Sequence, residues 1–241
     1  HHRAARPAPV SGVEQRAAWT VLYAPVGLGA YVAYLIGTMG PQLMGSYGRV
    51  MMLYYPVALS YFVIFFSLYV LWACSWTGLK TFWKHIFPTA FTALATGSSV
   101  ATIPVNLEAA GEMGIKNEVR EVVIPLGATI HMEGSCLAAI VKIAFLFGLF
   151  QMPFTGWDVW MPAIGIAVLS GTVISGIPSG GMIGELLIIT LYGFPLEALP
   201  LITMIGTIVD PPATMLNAVG DNVTCMLVSR PLYGKYWAAK R

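Results

Sequence analysis

Apolar segments long enough to cross a bilayer recur along this chain, and two of them are broken midway by runs that cannot continue a helix. The first run is TGSSVATIP (96–104) and the second is SGIPSGG (175–181). Six of the nine residues in the first are Gly, Ser, Thr or Pro, which loosen or end a helix by backbone freedom, by side-chain competition for backbone groups, or by proline's missing N–H. In hydrocarbon every backbone polar group needs an internal partner. Non-helical chain at that depth therefore survives only where it is buried in protein or lines a wet cavity. A single break serves close helix packing through small residues at least as well. Two breaks in corresponding positions point instead to backbone that meets a ligand.

Composition puts these segments in a membrane. Hydrophobic residues make up 57% and charged residues 10%, against about a quarter charged in soluble domains. A spanning helix takes ~20 mostly apolar residues, so the length allows several spans and no sizeable soluble domain. Spans are expected at 19–40, 49–75, 121–150 and 197–229, and helix–break–helix hairpins at 81–115 and 158–193. The fold class is an all-α membrane protein. Residues 1–18 have no usable period and are expected to be flexible; 19–80 would supply two spanning helices, 81–230 the unit with both hairpins, and 231–241 a basic tail. A net charge of +2 gives no reason to expect nucleic acid as a partner. The three cysteines are odd in number and unpatterned, and read as small core residues.

With both hairpins turning back inside the membrane, Lys80, Lys84, Lys116, Arg120, Arg230, Lys235, Lys240 and Arg241 fall on one side, and Arg49 alone on the other. The positive-inside rule makes the first side cytoplasmic, with the C-terminus there. The first hairpin then enters from the cytoplasm and the second from outside. Unit 81–150 is repeated by 158–229 with its direction reversed, an inverted repeat of re-entrant helical hairpins and spanning helices. Secondary transporters use this arrangement to place a site near the midplane.

Ionisable side chains within spans are costly and mark function; here they are His131, Glu133, Lys142, Glu185, Asp210 and Asp221. Asp210, Thr214, Asn217 and Asp221 follow at spacings of four, three and four, which places them on one helical face. Such a stripe suits a hard cation or a substrate ammonium group. Pro211 and Pro212 predict a kink just after Asp210; a purely structural kink, with Asp210 bonded to neighbours, is the plainer alternative. In PLGATIHMEGS (125–135), Gly127 and Gly134 bracket His131 and Glu133, and local unwinding there would turn carbonyls toward a cation. Lys142 either snorkels or pairs with Glu185.

These motifs resemble the dicarboxylate/amino acid:cation symporter family, the glutamate-transporter-like proteins. APVGLGA (24–30) is similar to the family's APIGVFA, residues 96–105 to TxSSxATLPV, and PLGATIHMEGS to PLGATINMDGT. GIPSGG (176–181) is similar to GVPGAG or GIPGGG, and the run from Asp210 to NAVGD (217–221) to DxxRTxxNVxGD. The resemblance covers about 20–230 and matches the C-terminal part of a full member, so a fragment lacking the N-terminal half is expected. It implies a transport domain that moves across a static scaffold like an elevator, within a homotrimer in a lipid bilayer. A small-molecule solute, a small amino acid or dicarboxylate, would be carried with Na+ or H+ as coupling ion. The expected location is a bacterial inner (plasma) membrane.

The resemblance also implies roles. The substrate pocket would be lined by Ser98 and Ser99 at the first tip, Ile177, Pro178 and Gly181 at the second, and Ser135, Ala213, Thr214 and Asn217, with Asp210 receiving a substrate ammonium group. Asp221 would bind one cation with main-chain oxygens of Gly127, His131 and Asn217; a second site would use carbonyls of Thr129, Gly171, Thr172 and Ile174. A third family site takes an Asn and an Asp side chain where this chain has His131 and Glu133. Histidine titrates near neutrality, so proton coupling is expected to replace or supplement sodium. Members that carry acidic substrates place an Arg where this chain has Ala213, and an alternative Arg at the first tip is here Gly97. Alanine offers no bidentate donors for a side-chain carboxylate, which favours a small neutral amino acid or another solute.

Two other classes share these parts. An intramembrane serine hydrolase would use Ser98 or Ser99 as nucleophile and His131 as base, but no nucleophile elbow surrounds the serines and the paired hairpins go unexplained. An uncoupled channel or structural membrane fragment needs no acidic stripe beside hairpin tips; accumulation against a gradient separates it from a symporter.

Overall fold

The structure, a computed structural model, describes residues 47–171, 180–235 and 237, with Gly37 and Gly45. Segment 1–18, the APVGLGA motif, nearly all of the span expected at 19–40 and most of the second break lie outside the described residues. The chain divides into two compact units, His1–Arg49 and Val50–Arg241, and the following concerns the second. All regular structure among the described residues is helical. In chain order the helices are α1 (Tyr47–Ala73), α2 (Trp76–His85), α3 (Phe87–Thr96), α4 (Ser99–Glu112), α5 (Asn117–Ile130), α6 (Glu133–Leu149), α7 (Trp157–Leu169), α8 (Gly180–Tyr192) and α9 (Leu199–Tyr233).

The first break turns the chain back, but it is shorter than the sequence suggests. Only Gly97 and Ser98 leave the helix, and residues 99–104 already belong to α4, with Pro104 inside it. Gly97 takes φ 58°, ψ 25°, a left-handed cap that costs glycine little because it has no Cβ. Ser98 then caps the next helix, its Oγ accepting from the Ala101 N–H at 3.2 Å. At the outer ends of this hairpin His85 Nδ1 and Glu112 Oε2 stand 2.7 Å apart, so the chain returns to the level from which it left. In the second hairpin the Tyr192 hydroxyl donates to the Val159 carbonyl at 2.9 Å, joining the outer ends of α8 and α7.

The two hairpins open at opposite ends of the α5–α6 crossing. The first hairpin leads into the start of α5, where Lys116 lies 4.0 Å over the Tyr233 ring and the Tyr233 hydroxyl bonds Glu118. The second follows the end of α6, where Phe147 packs edge-on against Phe154, Tyr192 and Phe194. Arg230 sits 3.9 Å over the Trp72 ring and donates to the Trp72 carbonyl, bringing the ends of α9 and α1 to the basic end as well.

Among the described residues, three helical runs are long and apolar enough to cross a membrane: Tyr47–Ala73, Asn117–Leu149 and Leu196–Tyr233. Large apolar side chains such as Leu53, Leu59, Leu68, Val122 and Leu126 face outward, a surface that lipid can cover and water cannot. The core lies around α9, which packs against α1, α3, α4, α5, α6 and α8. Residues 212–223 of α9 are buried without interruption, so this helix has no lipid-facing stripe over that length. A satellite apolar cluster (Ile143, Leu146, Ile166, Ile188, Ile202) seats the second hairpin on α6 and α9.

The crossing expected at 121–150 starts at Asn117, and the local unwinding expected around His131 falls at His131 and Met132. Leu199–Tyr233 is one helix with Pro211 and Pro212 inside it. Proline at 212 has no N–H for the Ile208 carbonyl one turn earlier. The Tyr55 hydroxyl donates to that carbonyl at 3.0 Å, so a neighbouring helix replaces the lost donor.

Tyr55→Phe should therefore cost about 1 kcal/mol of stability in detergent, read as a lower unfolding midpoint. In a Pro212→Ala background, where the helix regains its own donor, the same substitution should cost much less.

Candidate functional site

The split between α5 and α6 is the structural root of the site. His131 still donates its N–H to Gly127 at 2.8 Å, but its φ/ψ of −103°/90° and those of Met132 leave the helix. A helix that restarts at Glu133 presents N–H groups without partners of their own. Asn217 on α9 meets them: its Oδ1 accepts from the N–H groups of Gly134 (2.7 Å) and Ser135 (3.4 Å), and its Nδ2 donates to Ser135 Oγ (3.0 Å). The Tyr54 hydroxyl donates to the Gly134 carbonyl at 3.1 Å. The N-terminus of α6 is thus capped by Asn217 of α9, and Tyr54 of α1 adds a hydrogen bond to a carbonyl of the same turn.

Beside this capped break lies a cavity of about 310 Å³. The first tip, α6, the start of α8 and one face of α9 line it. Ser98, Ser99, Ser135, Gly181, Asp210, Ala213, Thr214 and Asn217 all contribute to its wall. Ile177 and Pro178 lie outside the described residues. Asp210 is exposed toward the cavity and sits against the first tip, where a Cβ on Gly97 would come within 3.3 Å of Asp210 Oδ2.

One turn beyond Asn217, Asp221 belongs to a second cluster. His131 Nε2 lies 2.7 Å from Glu133 Oε2, and Nδ1 lies 3.3 Å from Asp221 Oδ1. The remaining oxygens, Glu133 Oε1 and Asp221 Oδ2, are buried without a hydrogen-bond partner among the described residues. Gly127 packs so tightly on Asp221 that any side chain there would overlap the carboxylate. Buried acceptors left unmade are expensive and call for an ion or a donor. No three His, Cys, Asp or Glu side chains converge as a metal centre among the described residues. Unpaired carboxylate oxygens suit a hard cation such as sodium instead.

Gly127, His131, Glu133 and Asp221 are therefore brought together, with Asn217 one turn away. Thr129 is exposed, its hydroxyl turned back to the Leu126 carbonyl at 2.7 Å. Gly171 packs against Met132 and Cys136. Thr172 and Ile174 lie outside the described residues. The hydrolase arrangement does not form: the Ser98 hydroxyl caps a helix, and both His131 nitrogens face carboxylates rather than a serine.

Lys142, open in the sequence between snorkelling and pairing with Glu185, pairs. Lys142 Nζ donates to Glu185 Oε1 at 2.8 Å, and both residues stand in the cavity wall. Lys142 follows Ser135 by seven residues, two helical turns on the same face, a signal that was available. The sequence did not single out Asn106 or Asn222. They hydrogen-bond each other, and Asn106 Nδ2 donates to the Ala218 carbonyl at 2.7 Å, tying the first hairpin to α9.

A family model described as the sodium:dicarboxylate symporter family matches residues 13–231. The chain is similar to excitatory amino acid transporter 2 of Homo sapiens, 34% identical over 143 residues, covering 59% of this chain and 25% of that protein. It is similar to a putative sodium-dependent excitatory amino acid transporter, glt-4, of Caenorhabditis elegans, 28% identical over 216 residues, covering 88% of this chain and 43% of that protein. Neutral amino acid transporter A of Homo sapiens is 30% identical over 131 residues, covering 54% of this chain and 24% of that protein. The chain thus spans between a quarter and under half of the length of these relatives.

Asn217→Ala should leave the two α6 N–H groups without an acceptor and cost about 1–3 kcal/mol. Asn217→Asp keeps the acceptor and should retain most of that stability. Chemical unfolding in detergent tests the pair, and equal losses would mean that Asn217 does not act as a cap.

Proposed function

We propose, on the premise that this chain belongs to the sodium:dicarboxylate symporter family, that it supplies the transport unit of a cation-coupled symporter for a small amino acid or dicarboxylate. The observation that carries this reading is the convergence of four separate stretches on one cavity, with a cluster of acids one turn further along the same helix. A solute would place its ammonium group on Asp210 and its other polar groups among Ser98, Ser99, Thr214 and Asn217. Sodium would be held by Asp221 and neighbouring carbonyls, supplying positive charge where two buried carboxylate oxygens have no partner.

Coupling follows from the shared element. Asp210, Thr214 and Asn217 face the solute cavity, Asp221 faces the cation cluster, and all four ride on α9. A cation that fixes Asp221 and the α5–α6 break also fixes Asn217, so each ligand strengthens the other by the same factor. In this reading 81–230 is the moving transport domain, working by an elevator motion within a homotrimer. The basic end with Lys84, Lys116, Arg120 and Arg230 faces the cytoplasm by the positive-inside rule. The animal relatives bear on membrane insertion and add no support for the bacterial location expected from the sequence.

A second reading, proton coupling, is favoured by one observation. The His131 ring lies between Glu133 and Asp221 with a carboxylate oxygen at each nitrogen. A ring with a hydrogen on both nitrogens donates to both, and so acts as a tethered cation in the cluster.

Uptake into proteoliposomes holding the complete protein, with sodium and proton gradients imposed separately, tests both readings. Accumulation that follows sodium and is abolished by Asp221→Asn supports the first, whereas accumulation driven by a proton gradient without sodium supports the second. Equilibration without accumulation under either gradient would overturn both in favour of a channel. Asp210→Asn should weaken binding of ammonium-bearing solutes about 10- to 100-fold, the size of a lost hydrogen bond to a charged group.

A further inference from the structure

The cavity wall holds a buried ion pair that the cation cluster and the ammonium site leave unused. Lys142 on α6 and Glu185 on α8 are 2.8 Å apart, with side chains only 14% and 6% exposed. Glu185 is pinned through both oxygens: Oε1 accepts from Lys142 and Oε2 accepts from the Thr203 hydroxyl at 2.7 Å. The pair fills the space left by Gly206, where a Cβ would meet Glu185 Oε1 at 2.6 Å and Lys142 Nζ at 3.1 Å. Gly206 lies four residues before Asp210 on α9, just over one turn or about 6 Å along the axis. The pair therefore stands about one helical turn from the acid proposed to receive an ammonium group.

The chemistry of the pair is asymmetric. A lysine ammonium has three hydrogens, and its bond to Glu185 uses one, so donors remain for a group in the cavity. Glu185 already accepts twice, and its charge offsets that of Lys142. With Asp210 taken up by the solute's ammonium, a second carboxylate brought to Lys142 would still compete with Glu185 for one positive charge that Glu185 already offsets. An uncharged acceptor meets the same donors without that competition.

We infer that Lys142, positioned by Glu185 and Thr203, is a specificity-determining residue that donates to an uncharged acceptor on the solute's side chain, so that the solute class is a neutral amino acid bearing a primary amide or a hydroxyl. This inference rests on the amino acid symporter reading above. It selects within that reading against acidic solutes and against purely apolar ones.

Binding of radiolabelled glutamine, serine, alanine and glutamate to the complete purified protein in sodium tests it, with affinity ratios as the readout. The wild-type protein should bind glutamine or serine at least about tenfold more tightly than both alanine and glutamate, as one hydrogen bond to a charged donor allows. Removing the whole pair with Lys142→Met plus Glu185→Leu avoids stranding one buried charge, an exchange that membrane-like interiors often tolerate. It should collapse the preference over alanine. Glu185→Gln keeps an acceptor for Lys142 but removes the opposing charge, and should shift the glutamate-to-glutamine ratio about tenfold or more toward glutamate. If the ratios of a folded double variant and of Glu185→Gln match wild type, the pair is structural and this inference fails while the symporter reading stands. If none of the four amino acids binds the wild-type protein, both fail together.

Discussion

A helix that stops inside hydrocarbon leaves backbone groups that water cannot reach, and the architecture of this protein is organised around satisfying them. Asn217 caps the restart of α6, and Tyr55 supplies a donor to the Ile208 carbonyl below Pro212. Tyr54 adds a hydrogen bond to the Gly134 carbonyl. At the first tip the chain caps itself through Ser98. The bonds from Asn217, Tyr54 and Tyr55 join elements distant in sequence, so the breaks that would weaken single helices lock the bundle together instead.

The same repairs place the polar groups. Because Asn217 must reach the start of α6, the face of α9 that carries it is turned toward the break. Thr214 and Asp210 then fall on the cavity side, and Asp221 falls beside His131 and Glu133. The cavity wall and the His131–Glu133–Asp221 cluster meet two lengths of one stripe. Their separation is set by helical rise and cannot be altered independently of the packing that buries residues 212–223.

Much of this was legible in the sequence because it is written in local pattern. Glycine and serine in the two breaks, the four–three–four spacing of the stripe, and the glycines around His131 and Glu133 each announce themselves within a dozen residues. What was not legible depends on partners far along the chain. The donor from Tyr55 to Ile208 crosses 153 positions, so nothing near Pro212 announces how the freed carbonyl is satisfied. The Asn106–Asn222 pair crosses 116 positions, and each residue alone looks like an ordinary polar interruption. The Lys142–Glu185 pair fell between these cases: the sequence presented both residues, and only their adjacency could choose pairing over snorkelling. Main-chain ligands such as those assigned to Thr129 leave almost no trace in side-chain identity.

The burial of α9 also bears on how the protein is made. A segment with Asp210, Asn217, Asp221 and Asn222 carries acids that each cost about 2.5–3.5 kcal/mol to insert at the centre of a lone helix. Lipid alone would hold it poorly. Its partners α1, α3, α4, α5 and α6 all precede it in the chain, so each is synthesised before α9 and is available to receive its polar face. Insertion of α9 by docking on them, rather than by partitioning into lipid, would make the order of the helices along the chain part of the folding mechanism.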